Sequence, residues 1–158
     1  MVSPSGGGTI AYEASNLTFN KTGYIDTGVY LFSSENINRD FELVCTGLYA
    51  PAYDSTGTFL CAKLDGPAYG FLVRVNNSTS NQYKGTIQCK VNYNNTVIVR
   101  RINGVLSLEG DGITNQPVSF NPNTVFDQPL VLGCALQSNG SPYRYAQGSI
   151  AHIIVTWL

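Results

Sequence analysis

Val97-Ile98-Val99-Arg100-Arg101-Ile102-Asn103-Gly104-Val105-Leu106-Ser107-Leu108 decides the fold class of this chain. On both sides of Asn103-Gly104 the residues alternate with period two, the repeat of a half-buried strand and not of a helix. Asn-Gly is the preferred pair for a two-residue hairpin, because both central positions of a type I′ turn need positive φ. The same alternation recurs outward in both directions. Phe41, Leu43 and Cys45 share one face of a run, as do Phe71, Val73 and Val75, and then Ile87, Cys89 and Val91. Leu130-Val131-Leu132 and the closing run from Ile150 to Trp157 continue it. Between the runs lie turn-forming clusters: Asn76 to Asn81, Gly110-Asp111-Gly112, Asn121-Pro122-Asn123 and Ser138 to Pro142. No segment offers ten residues at helical spacing. The one helical feature expected is a single turn at Ser33-Ser34-Glu35-Asn36, with Ser33 as its cap. The pattern predicts an all-β antiparallel sandwich or barrel of roughly 10–13 short strands.

Composition bounds what such a fold does. A chain of 158 residues is sized for one domain with its own core. Residues 1–8, with Pro4 and a triple glycine, read as a flexible leader, and 9–158 as the domain. Met1 to Gly8 lacks the layout of a signal peptide, and no apolar run approaches the length of a membrane span. Charged residues make up 12%, against about 25% in ordinary soluble domains. With a formal charge of −1, the chain has no electrostatic footprint for nucleic acid. Cys45, Cys61, Cys89 and Cys134 each sit in an apolar or alternating run and read as buried thiols, one disulfide being the alternative. The Asn-x-Ser/Thr sites at Asn16, Asn20, Asn76, Asn77, Asn94 and Asn139 read as compositional bias.

Several stretches resemble a known family. Phe19 to Gly28, containing Tyr24-Ile25-Asp26-Thr27-Gly28, is similar to the opening of laminin-G-like, concanavalin A-like jelly rolls. Leu31 to Glu42 resembles the turn that leads into a long core strand there, and Val99 to Val105 the strand ending in a tight hairpin. Leu130 to Gly133, then Gln147-Gly148-Ser149-Ile150 and Ile153-Ile154-Val155, look like the usual finish. The resemblance spans residues 9–158 and implies a sandwich whose last strand pairs beside the first. It also implies a recognition or adhesion module of the lectin and glucanase group.

Catalytic chemistry is poorly represented. Glucanases of that group supply their carboxylates from a Glu-x-Asp-x-x-Glu strand, which Glu13, Glu35, Glu42 and Glu109 do not form. Glu109-Gly110-Asp111 reads as a turn. His152, between Ala151 and Ile153, reads as a satisfied strand histidine and not as a base. No enzyme activity is expected, and no cofactor. Calcium, which relatives often bind, would have Asp54, Asp65, Asp111 and Asp127 as hard oxygen donors, but no Asp-x-Asp spacing gathers them. Asp26 is expected to hydrogen-bond a neighbouring turn.

A binding surface is the remaining option. With Phe71, Val73, Ile87 and Cys89 inward, Leu72, Arg74, Gln88, Lys90 and Asn92 fall on the opposite face, where Arg100 or Arg101 and Glu42 would join them. Tyr143, Arg144 and Tyr145 form a candidate rim, and Tyr49 and Tyr53 another. Ordinary solvated sheet is the alternative for all of these. Trp157 reads as sheet packing, with a sugar-stacking platform as its other reading. The function expected is non-enzymatic contact with surface polysaccharide, at a virion surface or outside the cell. Low charge with abundant Asn, Thr, Gly and Tyr fits a bacteriophage tail fibre, baseplate or head decoration, made of sister subunits, a homo-trimer among the options. A purely structural virion domain, or an accessory domain of a carbohydrate-active enzyme, are the alternatives. No nucleic acid or membrane insertion is expected.

Overall fold

The computed structural model describes residues 8–52, 57–64, 69–75, 86–111, 113–114 and 125–158. Among these are thirteen strands and no helix. In chain order they are β1 (Thr9–Asn20), β2 (Ile25–Asp26), β3 (Phe41–Leu48), β4 (Thr58–Leu64), β5 (Tyr69–Val75), β6 (Thr86–Cys89), β7 (Asn95–Ile102), β8 (Val105–Asp111), β9 (Ile113–Thr114), β10 (Val131–Leu132), β11 (Ala135–Leu136), β12 (Pro142–Tyr143) and β13 (Gln147–Trp157). One sheet has the order β1-β13-β3-β7-β8, the other β2-β10-β4-β5-β6-β9, and β11-β12 form a separate ribbon. The chain is an all-β sandwich.

Alternation explains the layering. Phe41, Leu43, Cys45, Val97, Val99, Ile153 and Val155 from the first sheet meet Leu60, Ala62, Phe71, Val73, Ile87 and Cys89 from the second in one core. Each valine, leucine, isoleucine or phenylalanine among them stabilises the fold by about 1.5–3 kcal/mol when fully removed from water. The Asn103-Gly104 turn is as expected: φ is 51° and 76° at its two residues, and Ile102 faces Val105 across the closing pair. The last strand does return to the first. β13 pairs with β1 from Thr9–Trp157 to Asn20–Gln147, and its other edge pairs with β3. His152 Nε2 lies 2.8 Å from Glu13 Oε2 on this ladder, so the histidine is satisfied as a strand residue. Asp26 Oδ1 accepts from Gly28 N at 2.8 Å, the expected turn bond.

The outer face of the second sheet carries a smaller core. Cys61, Leu72, Val131, Cys134, Ala135 and Leu136 are buried together there, with Tyr143 and Tyr145 packed on them. The β11-β12 ribbon closes over this patch through a turn in which Gln137 N donates to Ser141 O and Gly140 N to Gln137 O.

Four local expectations need correction. β5 and β6 pair in parallel, an exception to the antiparallel arrangement expected of every neighbouring pair; residues 76–85 lie outside the described set. Glu109 to Asp111 continue β8 and are not a turn, because Val97 and Thr96 of β7 pair with Gly110 and Asp111. The Ser33–Asn36 segment is a turn without a helix, and Ser33 Oγ donates to Tyr30 O instead of capping an N–H. Glu42 and Arg100 lie on the first sheet, not beside Arg74 and Gln88 on the second, and Arg101 is in the core. The Asn121-Pro122-Asn123 cluster lies outside the described residues, as do Met1 to Gly7.

All four cysteines are free and buried. Burial pushes the thiols of Cys89 and Cys134 up from 9.0 to about 12, and that of Cys45 further. Because the thiolate is the nucleophile, native protein at pH 8 should resist iodoacetamide at all four positions. In denaturant all four should react, read by mass. A raised thiol pKa means the unfolded chain releases protons that the folded chain keeps, so this contribution to stability is lost as pH rises above about 9. Rapid labelling of any native thiol counts against the buried placement.

Candidate functional site

A groove of about 770 Å³ opens where the start of β1, the 28–39 turn region and the end of β13 meet. Its apolar wall is led by Trp157, half-buried, with Tyr30 and Ile10, 38% and 47% exposed, and includes Ala11 and Val29. Its polar rim comes from Glu35, Asn36, Arg39 and Asp127, with the Ser33 and Ser34 hydroxyls.

Each wall has a local cause. Trp157 is the last residue of β13, held opposite Thr9 and Phe41 by pairing on both edges. Its ring meets Phe41 edge-on, with centroids 6.4 Å apart at 86°. The Arg39 guanidinium lies 4.2 Å from the centre of the indole, a cation–π contact. Arg39 Nη1 also donates to Asn36 Oδ1 at 3.2 Å, and Asn36 Nδ2 donates to Tyr30 O at 2.9 Å. Tyr30, Asn36, Arg39 and Trp157 thus form one chain of contacts. Asp127 arrives because its segment runs beside the 27–32 stretch: Thr27 N donates to Leu130 O, Leu130 N to Val29 O and Phe126 N to Phe32 O. Phe126 stacks on Phe32 with centroids 5.1 Å apart at 14°, which seats that segment against the core.

Beneath the turn lies Arg101, 1% exposed. Its Nη2 donates to Leu31 O at 2.9 Å, Asn36 O at 2.6 Å and Arg39 O at 2.9 Å, and its Nε donates to Arg39 O at 3.1 Å. The guanidinium lies 5.2 Å from the ring centres of both Phe32 and Phe41. Burial pushes its pKa below the ordinary guanidinium value, and Asp40 partly opposes that.

The residues that sequence alone nominated lie elsewhere. Arg74 and Gln88 pair across β5 and β6 on the outer face, as the alternation predicted, but Gln88 is 1% exposed. Lys90 is exposed just beyond β6, its Nζ 5.6 Å from the Tyr93 ring. Arg144, at φ 53°, lays its guanidinium 4.8 Å over the Tyr143 ring, and Tyr145 bridges Thr58. Tyr143 and Tyr145 place their rings on the small outer core. None of these six lines the groove. Tyr49 donates to Asn92 Oδ1 at 3.0 Å, and Tyr53 lies outside the described residues. Arg100 Nε donates to Glu42 Oε2 at 2.7 Å, and its Nη1 pairs with Glu109.

Sequence reasoning reached Trp157 and Asp127 but missed Tyr30, Glu35, Arg39 and Arg101 as parts of one site. Trp157 packs against Phe41, as its sheet-packing reading expects, and it also lines the groove. Among the described residues no three His, Cys, Asp or Glu side chains gather as a metal set. Asp54 and Asp65 lie outside those residues, and Asp111 is in β8. No helix among them is long and apolar enough to cross a membrane.

No family model matches the chain, and no curated protein matches it. Two solved structures of the NanB sialidase from Streptococcus pneumoniae share its fold. One is the K499G mutant, at 14% identity with a TM-score of 0.55. The other is the complex with 2-[(3-chlorobenzyl)ammonio]ethanesulfonate, at 16% identity and the same TM-score. In both, the match covers 93% of this chain and 26% of the sialidase, so the chain corresponds to about a quarter of that protein's length.

Proposed function

We propose that this chain is a non-enzymatic carbohydrate-recognition module whose glycan lies in the groove against Trp157 and Tyr30. The carrying observation is the pairing of an aromatic wall, exposed Tyr30 and half-buried Trp157, with a rim of carboxylate, amide and guanidinium groups. Aromatic faces take the apolar C–H face of a pyranose, and such polar groups meet its hydroxyls. A sandwich fold shared with part of a sialidase supports the same direction, as does the quoted likeness to laminin-G-like jelly rolls. Glu35 and Asp127 are both exposed, without the burial that glycosidase general acids use to hold a proton, which favours binding over hydrolysis. The low charge and Asn, Thr, Gly and Tyr content support a place on a bacteriophage virion or another extracellular surface. The competing reading is an assembly domain with no sugar site.

Trp157 is the sole tryptophan of the chain, so the protein reports its own groove. Titration with neutral oligosaccharides should change its emission with Kd in the millimolar range or tighter. Tyr30→Ala should weaken that binding about tenfold, ~1.4 kcal/mol, with little change in Tm because the ring is exposed. An unchanged spectrum with every oligosaccharide at millimolar concentration would favour assembly instead.

A further inference from the structure

We infer that the groove accepts neutral or amine-bearing sugars and turns away carboxylate-bearing ones, uronic and sialic acids included. This rests on the reading of the groove as a glycan site and specifies the ligand class. Among the described residues, the charged side chains of the lining are Glu35, Asp127 and Arg39, a formal balance of −1. Recognition of a sugar carboxylate needs a guanidinium edge free for two parallel hydrogen bonds. Arg39 is the one cation among the described lining residues, and it is partly engaged: its guanidinium carbon lies 4.2 Å from the centre of the Trp157 ring and Nη1 donates to Asn36 Oδ1 at 3.2 Å, so the Nε/Nη2 edge is what remains for a carboxylate, and Glu35 and Asp127 outnumber it. Among the described residues neither Glu35 nor Asp127 has an ion-pair partner, and both are exposed.

The hydrogen-bond chemistry points the same way. Carboxylates accept and never donate, so Glu35 and Asp127 match sugar hydroxyls and ammonium groups, both of which donate. A uronate or sialate brings a third acceptor-only group of the same sign. In a water-filled groove that juxtaposition lowers affinity by about tenfold at low ionic strength, and less as salt screens it. The groove therefore discriminates by charge in the sense opposite to an arginine-lined anion pocket.

The test is a fluorescence titration at 20 and 200 mM salt with tetramers of glucose, galactose, mannose, N-acetylglucosamine, glucosamine, galacturonate and glucuronate, and with lactose against 3′-sialyllactose. At least one neutral or glucosamine ligand should bind about tenfold more tightly than its carboxylate-bearing counterpart, with the gap narrowing at high salt. The Glu35→Gln/Asp127→Asn double variant should narrow it too, and its exposed positions leave the fold intact. Equal or tighter binding of uronate or sialyl ligands overturns the charge selectivity while leaving the glycan site in place. Silence with all ligands, at both salt concentrations, removes the glycan site itself.

Discussion

Gly133→Ala is expected to lose about 2–5 kcal/mol of stability, a large share of the ~5–15 kcal/mol that holds a domain together. Two effects add. Gly133 has φ +90°, where an L side chain costs about 1–2 kcal/mol. A Cβ there would also lie 2.5 Å from Phe19 Cε1, well inside van der Waals contact. The ring cannot swing aside freely. Phe19 is 5% exposed and meets Phe59 edge-on, with centroids 6.2 Å apart at 84°. Nor can the backbone retreat, since Gly133 N donates to Phe59 O and Ala146 N to Gly133 O, both at 2.9 Å. Overpacking of this kind costs about 1–3 kcal/mol. Gly140→Ala is the matched control, with φ +87° and nothing within 4 Å of the added carbon. It should lose about 1 kcal/mol, the conformational part alone. Urea midpoints at unchanged slope separate the two. Equal losses at both sites would show that Phe19 gives way and that the contact is not what demands glycine.

What was legible in the chain, and what was not, follows from how far apart the causes sit. The hairpin at Asn103-Gly104 and the inward faces of β3, β5 and β6 depend on neighbours two residues away, so alternation finds them. Register between distant strands has no such signal. The groove joins residues 9–11, 28–39, 127 and 157, and only the β1–β13 ladder and the pairing of 125–130 with 27–32 bring them together. Burial of Gln88 is invisible for a similar reason: its face is predictable, but what lies over that face is not. Gly110 misleads through composition, since a glycine followed by Asp111 and Gly112 reads as a turn yet extends the edge strand β8. Arg101 is the instructive case. Parity puts it on the same face as Val97 and Val99, inward, whereas charge alone leaves Arg100 and Arg101 equal candidates for a polar face. The alternation was right.

Arg101→Met should lower stability by about 3 kcal/mol and loosen the groove in the native state. For a base, a pKa lowered by burial means that folding is opposed by the charge itself, so the contacts of Arg101 must outweigh its desolvation. They consist of hydrogen bonds to three carbonyls, those of Leu31, Asn36 and Arg39, and the faces of Phe32 and Phe41. Methionine keeps the apolar stem on the two rings and removes the cost of burying charge. It removes a donor from three carbonyls: Asn36 O keeps the Arg39 N–H at 2.9 Å, while those of Leu31 and Arg39 lose the guanidinium, each worth about 1–3 kcal/mol if nothing replaces it. Those carbonyls anchor the turn that carries Asn36 and Arg39, and Arg39 rests on Trp157. A turn released from below should therefore expose the indole, shifting tryptophan emission to the red before any unfolding transition and weakening glycan binding beyond what the stability loss explains. Arg101→Lys restores the charge but not the planar fork, and should recover only part of each effect. A methionine variant with wild-type midpoint and emission would mean that water satisfies the carbonyls, and that the turn holds its shape without the buried guanidinium.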